Sequence, residues 1–242
     1  MIEIKNLSKK FGNIVAVKSL NLRIEKGELF ILLGPNGAGK TTTMKLITGL
    51  LRPTEGEIWV GGYSVLREYM MAKRLIGYIP DTPYVYEKLS AREFLHFIQD
   101  IYQVENKHKV EELLELFHLR EEADRLIEEY SHGMKQKVAI ASALIHNPKV
   151  LIIDEPLVGL DPRSARLLKD ILKKKVKDGM TVFLSTHTLS LAEELSHRIG
   201  IINESKLIAV GTLKELREKA KTTGNLEEVF LRLTEEESEL FS

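Results

Sequence analysis

Apolar and polar residues alternate in short runs over residues 1 to 30: Ile2-Glu3-Ile4, Ile14-Val15-Ala16-Val17 and Leu20-Asn21-Leu22-Arg23-Ile24. A period of two, with Gly12-Asn13 and Lys26-Gly27 as turns, predicts antiparallel strands. The pattern then changes. Residues 28 to 33 form a nearly unbroken apolar run that stops at Gly34-Pro35-Asn36-Gly37. Such a run predicts a strand buried on both faces, as in a parallel sheet. Apolar residues at helical spacing follow (Met44, Ile47, Leu51), so a helix is expected over 40–50.

From about Leu89 to His146 the spacing is mostly helical. Ser90 and Glu93 make a capping box ahead of Phe94, Leu95 and Ile98, and Val110, Leu113, Leu114 and Phe117 continue the period. A second buried strand is expected at Val150–Ile153, then a helix capped by Asp161 with Pro162 in its first turn. A third strand is expected at Thr181–Leu184, a hairpin from Ile199 to Val210, and a short helix with the capping box Thr212/Glu215. The acidic stretch from Thr234 to Glu239 reads as a frayed surface end.

Composition narrows the classes. A 43% hydrophobic and 29% charged chain of 242 residues is globular and can bury a sizeable core. Lys+Arg and Asp+Glu balance at 35 each, which argues against a mainly electrostatic nucleic-acid binder. With no cysteine, disulfides, thiolate nucleophiles and cysteine-ligated metals are excluded. The start lacks a secretory layout, and no window approaches the about 18 apolar residues of a membrane span, so any membrane role is expected to come through a partner.

The segment Gly34-Pro35-Asn36-Gly37-Ala38-Gly39-Lys40-Thr41 matches the phosphate-loop pattern and lies between the expected strand and helix. Its glycines allow backbone N–H groups to turn inward around phosphates, and the helix directs its positive dipole end at the same anion. Lys40 places a charge on the β- and γ-phosphates, and the Thr41 hydroxyl can ligate Mg²⁺. The strand Val150–Ile153 delivers Asp154 and Glu155 to the sheet edge where ligands bind. There Asp154 would hold magnesium and Glu155 would orient and deprotonate the attacking water. Ser131 and Gly133 open another helix, a second anion site or a plain cap. His187 ends the third strand after Ser185-Thr186, at the same edge as Glu155.

Taken together, these residues resemble the ATPase subunit of ABC transporters over nearly the whole chain. The ordered set is Gly34 to Thr42 (Walker A), Ser131-His132-Gly133-Met134 (signature), Ile153-Asp154-Glu155 (Walker B), Leu160-Asp161 (D-loop) and His187 (H-loop). The resemblance implies ATP and Mg²⁺ as cofactors and Phe11 as the aromatic that stacks on adenine. It implies a head-to-tail pair of subunits, each ATP lying between the phosphate loop of one and the signature of the other. It also implies an integral membrane permease partner and a place on the cytoplasmic face of the membrane. The form Tyr130-Ser-His-Gly-Met-Lys-Gln136 and the ending Leu226–Thr234 are similar to the drug, antibiotic and lipid exporter branch. A soluble ABC-type ATPase uncoupled from transport is the rival reading.

The expected fold is α/β: a phosphate-loop NTPase core with a mostly parallel sheet, an N-terminal antiparallel β part and an inserted α-helical subdomain. The core and β part are expected over 1–83 and 148–225, the helical signature subdomain over 84–147, and a C-terminal tail over 226–242. Two positions depart from the family pattern. Asp81 in Ile79-Pro80-Asp81 stands where Gln is usual, and its shorter, charged side chain makes it a candidate metal ligand. His132 stands where Gly is usual, which backbone N–H donors tolerate if the local φ is negative.

Overall fold

In the computed structural model, which describes residues 1–239, the alternating N-terminal runs fuse into two long strands. These are β1 (Ile2–Phe11) and β2 (Ile14–Ile24), paired antiparallel across the Gly12-Asn13 turn. The apolar run becomes β3 (Leu29–Leu33), buried along its length, and leads through the glycine-rich loop into α1 (Lys40–Ile47). Next come β4 (Glu55–Val60), β5 (Tyr63–Ser64), α2 (Tyr69–Arg74) and β6 (Ile76–Ile79). Sequence patterning did not predict these four: β4 buries only Ile58 and Val60, too few positions to establish a period.

The helical block comprises α3 (Ala91–Ile101), α4 (Lys109–Leu116), a 3₁₀ turn at Ile127–Glu129 and α5 (His132–Leu144). The expected capping box is formed: Glu93 N donates to Ser90 Oγ, and Ser90 N donates to the Glu93 carboxylate. After it come β7 (Val150–Asp154), α6 (Pro162–Lys177), β8 (Thr181–Thr186) and α7 (Leu189–Leu195). The hairpin β9 (Arg198–Asn203)–β10 (Lys206–Gly211) and α8 (Leu213–Lys219) follow. Thr234 to Glu239 are not a frayed end. They continue α9 (Leu226–Glu239), whose Leu226, Val229 and Leu233 are buried at helical spacing. These three buried side chains precede the acidic stretch and anchor the helix that the stretch continues; residues 240–242 lie outside the described residues.

Two sheets result. The antiparallel one has the order β2-β1-β4-β5, and the larger has the order β10-β9-β3-β8-β7-β6, parallel throughout except at the β10 edge. β6 and β7 are direct neighbours, Ile76 opposite Val150, so the helical block is inserted between adjacent strands. Alternation along the buried strands sorts side chains onto two faces. Leu29, Ile31, Leu33, Leu151, Ile153, Val182 and Leu184 join the helices α3 to α9 in one apolar cluster. Phe30, Leu32, Val150, Ile152 and Phe183 join α1 and the antiparallel sheet in the other. Phe30 and Phe183 meet edge to face, with centroids 5.5 Å apart. Truncating the fully buried Phe183 to Ala is expected to cost about 3–5 kcal/mol, read as a lower urea midpoint with unchanged slope.

This register places the chemistry. Leu33 pairs with Thr186 and Asp154 with Ser185, so β3, β7 and β8 end side by side at one sheet edge, where ligands bind in parallel α/β sheets.

Candidate functional site

The loop after β3 is built for close approach. Gly39 is the N-cap of α1 with φ +103°, in the left-handed region, and a Cβ there would lie 2.3 Å from the Ala16 carbonyl oxygen. As a glycine it brings no side-chain cap, so the first N–H groups of α1 are left for an anion. Lys40, 6% exposed, bends back over the loop: its Nζ donates to Gly34 O at 2.9 Å and to Pro35 O at 3.1 Å. The same ammonium lies 3.6 Å from Glu155 Oε1.

The carboxylate pair at the end of β7 is held by the end of β8. Ser185 Oγ donates to Asp154 Oδ1, Thr186 Oγ1 donates to Glu155 Oε2 at 3.2 Å, and His187 Nδ1 lies 2.8 Å from Glu155 Oε1. A carboxylate only accepts, so the proton of this last bond sits on Nδ1. Glu155 itself has φ +47°, uncommon for a residue with a Cβ and typical of functional sites. Asp154 is fully buried, and burial pushes its pKa above the usual carboxylate value. The hydrogen bond from Ser185 and the nearby Thr41 hydroxyl oppose that rise, while the charges of Asp81 and Glu155 add to it.

The structure thus brings together Gly34–Thr42, Asp154, Glu155 and His187, with Asp81 near enough for its charge to act on Asp154. Asp81 is exposed and accepts from Thr82 N at 2.9 Å. Phe11 closes β1 with its ring 46% exposed and the Lys9 ammonium 4.9 Å from its centroid. The signature residues stand apart. Among the described residues no hydrogen bond or ion pair joins Ser131–Met134 to Gly34–Thr42. Ser131 caps α5 by accepting from Met134 N at 3.3 Å and is itself exposed. His132 opens α5 in helical conformation, so the negative φ that a non-glycine residue needs there is met. Its ring lies against Gly159, where an added Cβ would be 2.2 Å from His132 Cδ2. Asp161 caps α6 with both oxygens: Oδ1 accepts from Arg163 N and Ser164 N, and Oδ2 from the Ser164 hydroxyl at 2.5 Å. That hydroxyl is the main cause of its lowered pKa.

Sequence reasoning gave no role to Ser185, Thr186 or Tyr78. Two hydroxyls ending a buried strand after the apolar run Val182–Leu184 were the visible signal for the first two. Among the described residues the Tyr78 hydroxyl is buried without a hydrogen-bond partner, and burial followed by the Asp154 charge pushes its pKa up.

A family model described as "ABC transporter" matches residues 17–158, more than half of the chain. The chain belongs to the ABC transporter ATP-binding family. It is 41% identical over 219 residues to the linearmycin resistance ATP-binding protein of Bacillus subtilis (strain 168), covering 89% of this chain and 70% of that protein. It is 38% identical to a bacitracin transport ATP-binding protein of Bacillus licheniformis, over 86% of this chain and 68% of the other. A solved ATP-binding subunit of an ABC transporter superposes with TM-score 0.91 at 33% identity, over 97% of this chain and 99% of that one. A dimeric post-hydrolysis ATP-binding cassette bound to ADP and Pi superposes with TM-score 0.81 at 29% identity, over 88% of this chain and 99% of that one. Membership of the ABC family implies ATP binding and ATPase activity. ABC cassettes form dimers and work with membrane permeases. In this one, among the described residues, no helix is long and apolar enough to cross a membrane.

The donor set also suits a magnesium ion carried by the nucleotide. Among the described residues Asp154 Oδ2 is buried with no hydrogen-bond partner, Thr41 is close by, and an ionised carboxylate there calls for a cation. Among the described residues no three His, Asp or Glu side chains could hold a metal by themselves. Mg²⁺ takes one or two protein carboxylates and completes its shell with phosphate and water, so a sparse set fits.

Proposed function

We propose that this ABC cassette hydrolyses magnesium-bound ATP at the common edge of β3, β7 and β8, and that it does so as a dimer coupled to a membrane exporter. The observation that carries the reading is the convergence on Glu155: Lys40 and His187 meet one of its oxygens and Thr186 the other, beside the uncapped start of α1. In this reading Phe11 stacks on adenine, and the N–H groups from Gly34 through Thr42 with Lys40 hold the phosphates. Thr41, Asp154 and Asp81 hold Mg²⁺, which when bound offsets the charge on the β- and γ-phosphate oxygens. Glu155 accepts the proton of the attacking water, and His187 keeps the carboxylate turned toward it.

Dimerisation follows from the division of the site. Ser131, His132, Gly133 and Met134 form a helix start, exposed at Ser131 and His132, that among the described residues has no hydrogen bond or ion pair to the chain's own phosphate loop, and in this reading they serve the nucleotide of a second subunit. Asp161, its carboxylate spent on capping α6, shapes the neighbouring loop rather than contacting phosphate directly. The similarity to proteins named for linearmycin resistance and bacitracin transport supports export from the cytoplasmic face through an integral membrane permease.

A mixing experiment tests the shared site. Lys40→Ala and Ser131→Arg subunits should each hydrolyse ATP poorly alone. Mixed in equal amounts they form heterodimers with one intact composite site, and activity should reappear. A mixture as inactive as its components would sink the shared-site reading.

A further inference from the structure

We infer that Thr186 is a positioning residue for hydrolysis: its hydroxyl fixes the second carboxylate oxygen of Glu155 and ties that carboxylate to the start of the phosphate loop. The inference rests on the reading of Glu155 as the base that accepts the water proton.

The hydrogen-bond directions are determined by the donors available. Thr188 N donates to Thr186 Oγ1 at 3.0 Å, filling one acceptor position of the hydroxyl. The single hydroxyl proton is thereby left for an acceptor, and Glu155 Oε2 lies 3.2 Å away. His187 Nδ1 holds the other oxygen at 2.8 Å, so the two bonds set the rotation of the carboxylate plane as well as its position. Thr186 is 1% exposed, which keeps water from competing for either bond. Its main chain completes the link: Gly34 N donates to Thr186 O at 3.3 Å, one residue beyond the Leu33–Thr186 pair. One residue therefore joins the base to the loop that would hold the phosphates. This matters because Glu155 projects from a left-handed backbone position on a long side chain, and its hydrogen bonds from Thr186 and His187 come from the end of the neighbouring strand. Reaction rates are sensitive to displacements of about 1 Å between reacting groups.

Thr186→Val keeps the β-branched shape suited to a strand end and removes the hydroxyl. Steady-state hydrolysis by the full chain should then show kcat reduced about tenfold, with KM for ATP changed by less than about twofold. Thr186→Ser restores the hydroxyl and should recover most of kcat. Added to Glu155→Gln, Thr186→Val should slow hydrolysis no further, since there is no base left to position. Thermal midpoints identify any variant that is simply unfolded, and Thr186→Ala serves as a second hydroxyl-free variant. A parent-like kcat in a folded hydroxyl-free variant overturns the inference. So does a Ser variant as slow as Val, which would make the role one of packing, or a raised KM with unchanged kcat. Parent-rate hydrolysis by Glu155→Gln would instead remove the reading of Glu155 beneath it, so the two failures are distinguishable.

Discussion

Glu155→Gln is expected to hydrolyse ATP slower by a factor on the order of 10² to 10⁴, the usual contribution of a positioned general base, while still binding the nucleotide. The amide has nearly the shape of the carboxylate but cannot take a proton from water. It retains one oxygen, able to accept from either His187 or Thr186, so one of these two donors keeps its partner. The Lys40 ammonium loses its ion pair at 3.6 Å, yet its two bonds to Gly34 O and Pro35 O remain to hold it in the loop. Binding should therefore survive where hydrolysis fails. With the reaction stalled, the ATP-bound dimer should persist. Light scattering on the eluting protein should show twice the monomer mass with ATP present and not without it. Hydrolysis at the parent rate would remove Glu155 from the role of base.

Lys40→Ala is expected to weaken ATP binding by roughly 10- to 100-fold, the equivalent of one hydrogen bond to a charged group lost from the phosphates. The loss is local in cause. Ala is the best helix former, so the first residue of α1 stays helical. The carbonyls of Gly34 and Pro35 lose their side-chain donor, and Glu155 loses its nearest cation. Both effects loosen the loop and leave a half-buried negative charge less compensated, so the substitution reduces affinity and pre-organisation together. Calorimetric titration with ATP reads the result directly. An unchanged dissociation constant would mean that the loop does not bind phosphate as its pattern implies.

Much of this site is legible in the amino-acid sequence because its parts are local. The phosphate loop needs glycine conformations and a strand–loop–helix context, all within Glu28 to Ile47. The capping boxes at Ser90 and Thr212 and the Asp161 cap are decided by hydrogen bonds spanning three residues, and all three are formed. Other features are hidden because weak local signals lose to long-range packing. Thr234–Glu239 reads as a frayed acidic end, but it continues a helix anchored ahead of it by the burial of Leu226, Val229 and Leu233. Strand β4 carries too little period-two signal on its own and is stabilised as a neighbour of β1.

Which chemical groups this protein possesses, and in what order, follows from the sequence alone: Lys40 and Thr41 at a helix start, Asp154 and Glu155 at a strand end, and Ser131 with Gly133 at another helix start. Those assignments hold because propensity, capping and turn chemistry act over a few residues. Which of these groups touch follows only from the folded chain. Parallel strands are joined by long crossovers, and no local pattern specifies that Asp154 pairs with Ser185 and Leu33 with Thr186. That register, with the left-handed turn at Glu155, places the hydroxyl of Thr186, the imidazole of His187 and the ammonium of Lys40 around one carboxylate.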